Sequence, residues 1–168
     1  MSLLRTILLP AVLLFALPSR AADTLDATPA NVLFIYDSIT KPSAFYVETI
    51  RENLKDASFQ VDEASSSALR HKDPSQYSHI VMYGMVMAFN MKSSVRKWLK
   101  SQKSLENKKL FIFVTANRWF NENLRKDLVK LASQKNATVV DAVSMATNKV
   151  SEAEKREKIT ALLAQMKR

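Results

Sequence analysis

Five chemically capable side chains crowd into seven residues of this 168-residue chain: Asp37, Ser38, Thr40, Lys41 and Ser43. They follow an apolar run at residues 32–36 and precede Phe45, Val47, Ile50 and Leu54, which recur at helical spacing. Hydroxyls and a cation at the start of a helix suit an anion, because the first-turn N–H groups and the positive end of the dipole face the same way. The same residues suit a plain helix cap, with Thr40 or Ser43 accepting from first-turn amides. Pro42 fits a first helical position, yet it removes one amide and biases Lys41 towards extended backbone. Asp37 would oppose a nearby phosphate; a capping or loop hydrogen bond is the simpler expectation for it.

Other chemistries are excluded or thinly supported. The chain has no cysteine, so disulfides, thiolate metal sites and a cysteine nucleophile are ruled out. Its only glycine is Gly84, which excludes the glycine-rich phosphate loops as ordinarily written. His71 lies between Arg70 and Lys72 in a polar stretch, and His79 opens an apolar run. Neither histidine has a ligand at metal-binding spacing. No serine sits in a nucleophile elbow.

The elements that must position these groups follow from periodicity. Residues 32–36 are too short for a buried helix and read as a strand covered on both faces. Residues 59–64 read as a second strand, 79–83 as a third ended by Gly84, 110–114 as a central fourth and 137–143 as a fifth. Helices are expected after the first strand, over 92–103, around Leu124, Leu128, Leu131 and Ala132, and at Ile159, Leu162, Leu163 and Met166. Residues 65–76 are polar, with Asp73-Pro74 as turn punctuation. Strands alternating with helices give an α/β fold, a three-layer, doubly wound, five-stranded parallel sheet. Residues 1–22 have the basic, apolar and small-residue order of a cleavable secretory signal, with cleavage after Ala21 or Ala22. Residues 23–30 form a short linker and 31–168 the domain. The localisation expected is periplasmic or secreted, with no membrane span once the signal is removed.

Two stretches carry a resemblance to a known family: residues 32–43, and residues 77–84 continuing through Val95, Trp98 and Leu99 to 108–115. The chain resembles the flavodoxins, with a pattern similar to the flavodoxin domain of menaquinone-dependent protoporphyrinogen oxidases. The resemblance implies strand order 2-1-3-4-5 and an FMN cofactor. It also implies a phosphate loop of Ser38, Thr40, Lys41 and Ser43, whose hydroxyl positions match the family's Ser/Thr-x-Thr-Gly-Asn-Thr. Lys41 and Pro42 stand where the family has Gly and Asn. The flavin ring would be met by loops after the third and fourth strands. Phe89 and Trp119 would stack on it, Gly84 would allow close approach, and Asn117 and Asn90 would reach its edge. Arg118 would set a cation near the ring and raise its potential. The competing reading of these apolar groups is core at the sheet edge.

The formal net charge is +9, and loss of Arg5 and Arg20 with the signal would lower it to +7. Arg96, Lys97, Lys100, Lys103, Lys108, Lys109, Arg125, Lys126 and Lys130 form a solvated face or a surface for anionic lipid, envelope polymer or an acidic partner. Nucleic acid is not an expected partner of an exported chain. Two functions follow. One is an exported FMN-binding electron-transfer or oxidoreductase module with a redox partner protein. The alternative is a cofactor-free binding or assembly module of the cell envelope that uses its basic surface.

Overall fold

The computed structural model describes residues 31–86, 93–116, 121–147 and 150–167. In chain order these form β1 (Asn31–Tyr36), α1 (Lys41–Asp56), β2 (Gln60–Ser65), two short 3₁₀ helices (Ser66–His71 and Pro74–Gln76), β3 (His79–Val86) and α2 (Ser94–Ser101). Then come β4 (Lys109–Ala116), α3 (Asn121–Gln134), β5 (Thr138–Ala146), α4 (Glu152–Ala164) and a last 3₁₀ turn, Gln165–Lys167. The five strands are parallel in the order β2-β1-β3-β4-β5. The expected fold class and strand order are both observed.

The continuous apolar runs arise because the central strands are covered twice. Val32, Phe34 and Tyr36 of β1 join Tyr83, Phe111 and Phe113 in a core beneath α1 and α4. Leu33 and Ile35 join Ile80, Met82, Leu110 and Ile112 in a second core beneath α2 and α3. Alternate side chains of one strand thus feed opposite cores, so no polar face appears in the sequence.

Two local features depart from the expectations. β3 does not end at Gly84, since its ladder continues through Gly84↔Val114, Met85↔Thr115 and Val86↔Ala116. α2 is shorter than 92–103: Ser93 caps it by accepting from the Arg96 N–H at 3.1 Å, and it stops at Ser101. The crossover from β2 to β3 carries only the two 3₁₀ turns, so one flank of the second core is covered by Leu69 rather than by a full helix. Left-handed backbone occurs at Ser58, Asn107 and Asn136 with φ of 58°, 63° and 62°, while Gly84 does not adopt it. Ser58 follows the end of α1, a place where glycine is usual.

Candidate functional site at the carboxyl edge

β1 and β3 are neighbours in the sheet, and the strands added after each run outwards in opposite directions. That makes the gap beyond their carboxyl ends the switch point where open α/β sheets bind ligands. Tyr36 completes β1, and the chain then turns through Asp37 into α1.

Asp37 spans this gap. Its N–H donates to the Tyr83 carbonyl of β3 at 3.2 Å. One carboxylate oxygen accepts from the Met85 N–H at 3.1 Å. The other accepts from Ser93 Oγ at 3.1 Å, Ser94 N at 2.6 Å and Val95 N at 3.2 Å. The carboxylate therefore answers the positive end of α2 rather than α1. Burial pushes its pKa upwards, and these four donors oppose the shift without cancelling it. The expected capping role is present, but on the helix that begins 57 residues later. Its weak sequence signal is the Ser93-Ser94 pair at that helix start.

At the start of α1, Thr40 and Ser43 form a reciprocal cap. The Thr40 N–H donates to Ser43 Oγ at 2.7 Å, and the two hydroxyl oxygens lie 3.1 Å apart. Ser43 Oγ also approaches the Ser38 carbonyl at 3.5 Å and the Thr40 carbonyl at 3.1 Å. Ser43 is 1% exposed, whereas Ser38, Lys41 and Pro42 are exposed. The structure therefore brings Ser38, Thr40, Lys41 and Ser43 together at one helix end. Lys41 does so without left-handed backbone.

The remaining expected site residues divide. A methyl group built on Gly84 would meet Leu124 Cδ2 at 3.2 Å, Leu128 Cδ1 at 3.7 Å and Asp37 Oδ2 at 3.9 Å. Its small size lets α3 lie close over β3. Phe89, Asn90, Asn117, Arg118 and Trp119 lie outside the described residues. Beneath the edge, the Tyr46 and Tyr83 rings stack at 5.7 Å, and Tyr83 Oη lies 2.9 Å from Thr115 Oγ1. Burial pushes the Tyr46 phenol up to about 12.

Elsewhere the titratable groups serve structure. His79 packs between Phe59 and Phe111 with Nδ1 2.8 Å from Ser78 Oγ, and burial, aided by the Lys109 charge, lowers its pKa. His71 is exposed. Among the described residues there is no cluster of three or more His, Cys, Asp or Glu able to hold a metal. On the basic face, Arg96 pairs with Asp127 and Arg125 with Glu122, while Lys97, Lys100, Lys103, Lys109, Lys126 and Lys130 are exposed. Among the described residues no helix is long and apolar enough to cross a membrane.

The arrangement defines an open α/β domain with its candidate site at the switch point, and solved structures place that domain more closely. A flavodoxin from Streptococcus pneumoniae TIGR4 superposes with a TM-score of 0.63 at 13% identity, covering 82% of this chain and 99% of its own. Flavodoxin 2 from Bacillus cereus gives 0.60 at 16% identity, over 82% and 99%. Rubredoxin:oxygen oxidoreductase from Desulfovibrio gigas gives 0.62 at 16% identity, over 81% of this chain but 35% of that one. No protein-family model matches the sequence, and no curated protein matches it. The chain has the flavodoxin-like fold.

Proposed function

We propose that the domain binds FMN at its carboxyl edge and serves as an electron-transfer or oxidoreductase module with a redox partner protein. The observation that carries this reading is the gathering of Ser38, Thr40, Lys41 and Ser43 at the α1 amino terminus, with the Asp37 carboxylate directed to α2. That orientation removes the electrostatic objection an acid beside a phosphate would raise. The residues fit the phosphate end of FMN through one exchange: the Thr40 N–H passes from Ser43 Oγ to a phosphate oxygen, and the freed Ser43 hydroxyl becomes a donor. The Lys41 ammonium supplies charge at the exposed side. When bound, FMN supplies one- and two-electron redox chemistry. Phe89 and Trp119 are the proposed covers for its ring, and Asn117 the partner for its edge.

One observation favours a second reading, a cofactor-free binding or assembly module of the envelope. The Thr40–Ser43 cap is already closed, and Pro42 brings no N–H to replace a lost donor. Such a module would meet an envelope protein or an anionic surface through its exposed lysines.

Titrating the purified protein into FMN while following flavin fluorescence separates the two. The expected result is saturable quenching at micromolar concentrations, weakened at least about tenfold in a Ser38→Ala/Thr40→Ala variant, the loss of roughly one charge-assisted hydrogen bond. FMN that stays free at high protein concentration leaves the second reading. Export is part of both proposals: residues 1–22 act as the signal, 23–30 as the linker and 31–168 as the working domain. Amino-terminal sequencing of the envelope fraction should then begin at Ala22 or Asp23, and an intact Met1 there would reject cleavage.

A further inference from the structure

The crossover between β2 and β3 leaves a cleft that the carboxyl-edge site does not use. A parallel crossover is usually a helix lying against the sheet. Here the short 3₁₀ turn Ser66–His71 stands beside α2, and between them opens a cleft of about 470 Å³. It is lined by Ser67, Leu69, Arg70, Ser94, Lys97, Trp98 and Ser101. The volume falls within the range of small-molecule sites, roughly 300–1,000 Å³.

The chemistry of the lining is one-sided. Arg70 and Lys97 bring two positive charges, and no carboxylate lines the cleft. Neither cation has an acidic partner among the described residues. Arg70 Nε donates to the Ser67 carbonyl at 3.2 Å, which steadies the guanidinium root and leaves its terminal nitrogens. The Ser101 hydroxyl is spent on the Trp98 carbonyl at 2.7 Å, so Ser67 and Ser94 supply the available hydroxyls. Leu69 and Trp98, 2% and 4% exposed, make an apolar wall. The Trp98 ring therefore serves as packing surface, its Nε1 being buried without an acceptor among the described residues. Asp37, which accepts from the Ser94 N–H, is already saturated by four donors.

We propose that this cleft binds a phosphate monoester, with the phosphate between Arg70 and Lys97 and the apolar body of the ester against Leu69 and Trp98. A guanidinium fork, an ammonium and hydroxyl donors match the several oxygens and double charge of a terminal phosphate better than a lone carboxylate. The ester is either a soluble metabolite or a lipid headgroup. The inference does not rest on flavin binding, because the cleft shares no residue with Ser38, Thr40, Lys41 or Ser43.

The test uses phenyl phosphate as probe and follows the two tryptophan indole N–H signals in nitrogen–proton correlation spectra of the full chain. The Trp98 signal, assigned from a Trp98→Phe spectrum, should shift saturably. An Arg70→Ala/Lys97→Ala variant should bind at least about tenfold more weakly, since each charge-assisted hydrogen bond contributes about that factor. The remaining signals of the double variant report whether it is folded. Sedimentation with phosphatidic acid vesicles, against phosphatidylcholine vesicles, separates the sources. Variant-sensitive vesicle binding assigns the ester to a lipid, and binding of the soluble ester alone assigns it to a metabolite. The proposal is overturned if neither probe binds, or if a folded double variant binds both as well as the parent.

Discussion

Asp37 shows how much one carboxylate settles when its partners are backbone. Asn at this position keeps one oxygen and turns an amide NH₂ towards either Met85 N or the Ser94 and Val95 N–H groups, setting donor against donor. Asp37→Asn should lower stability by about 1–3 kcal/mol in urea unfolding, the cost of a buried donor left unpaired. The deficit should depend on pH. Burial raises the carboxyl above its ordinary 3.8, so the folded chain holds this proton more tightly than the unfolded chain. The Asp37 contribution is therefore fully present below pH 3.8 and is lost as pH rises through the raised folded value. The gap between wild type and variant should narrow from acid towards neutral pH; a gap that widens would mean the four donors outweigh burial. None of this was legible locally, because the partners lie 48 to 58 residues away. What could be read was the cap at Thr40 and Ser43, a contact three residues long.

Between elements, polar contacts do what the apolar pattern cannot. Glu122 near the start of α3 accepts from Arg125 on its own helix and from Ser144 Oγ of β5 at 2.7 Å, fastening the helix to an edge strand that is half-buried along most of its length. The Arg125 hydrogen bonds, then Ser144, hold the Glu122 pKa down at about 2. A lowered carboxylate contributes stability above its unfolded value, here 4.5, and loses it as pH falls through the folded value. Glu122→Gln should lower neutral stability slightly, as solvent screens so open a pair, and should flatten the stability profile between pH 4.5 and about 2. An unchanged acid slope in chemical unfolding would reject that role. The three central strands were legible because both their faces are apolar, and helix positions because their stripes are strong. Gly84 misled the reading: glycine usually breaks an element, but here the strand runs on and the missing side chain makes room for Leu124. The β2–β3 crossover was legible only as polar, since a 3₁₀ turn leaves no periodicity long enough to read.

At the scale of the molecule, two apolar cores on either side of five parallel strands put the chemistry where chain ends and crossovers leave polar groups behind. The carboxyl edge is one such place and the cleft beside α2 the other. The left-handed turns have a consequence on the other side of the folding equilibrium. A chain with a single glycine has few highly flexible joints, so its unfolded ensemble has less backbone entropy to surrender. Three turns adopt conformations that glycine would accept freely, using Ser58, Asn107 and Asn136 instead. Asparagine tolerates them well, whereas serine bears more of the roughly 1–2 kcal/mol steric cost. Ser58→Gly should raise stability by about 0.5–1 kcal/mol in thermal or urea unfolding, because relief of strain exceeds the entropy returned to the unfolded chain. The same change at Asn107 or Asn136 should come out near zero. A chain built this way keeps part of its stability in the stiffness of the state it leaves, which no contact in the folded domain records.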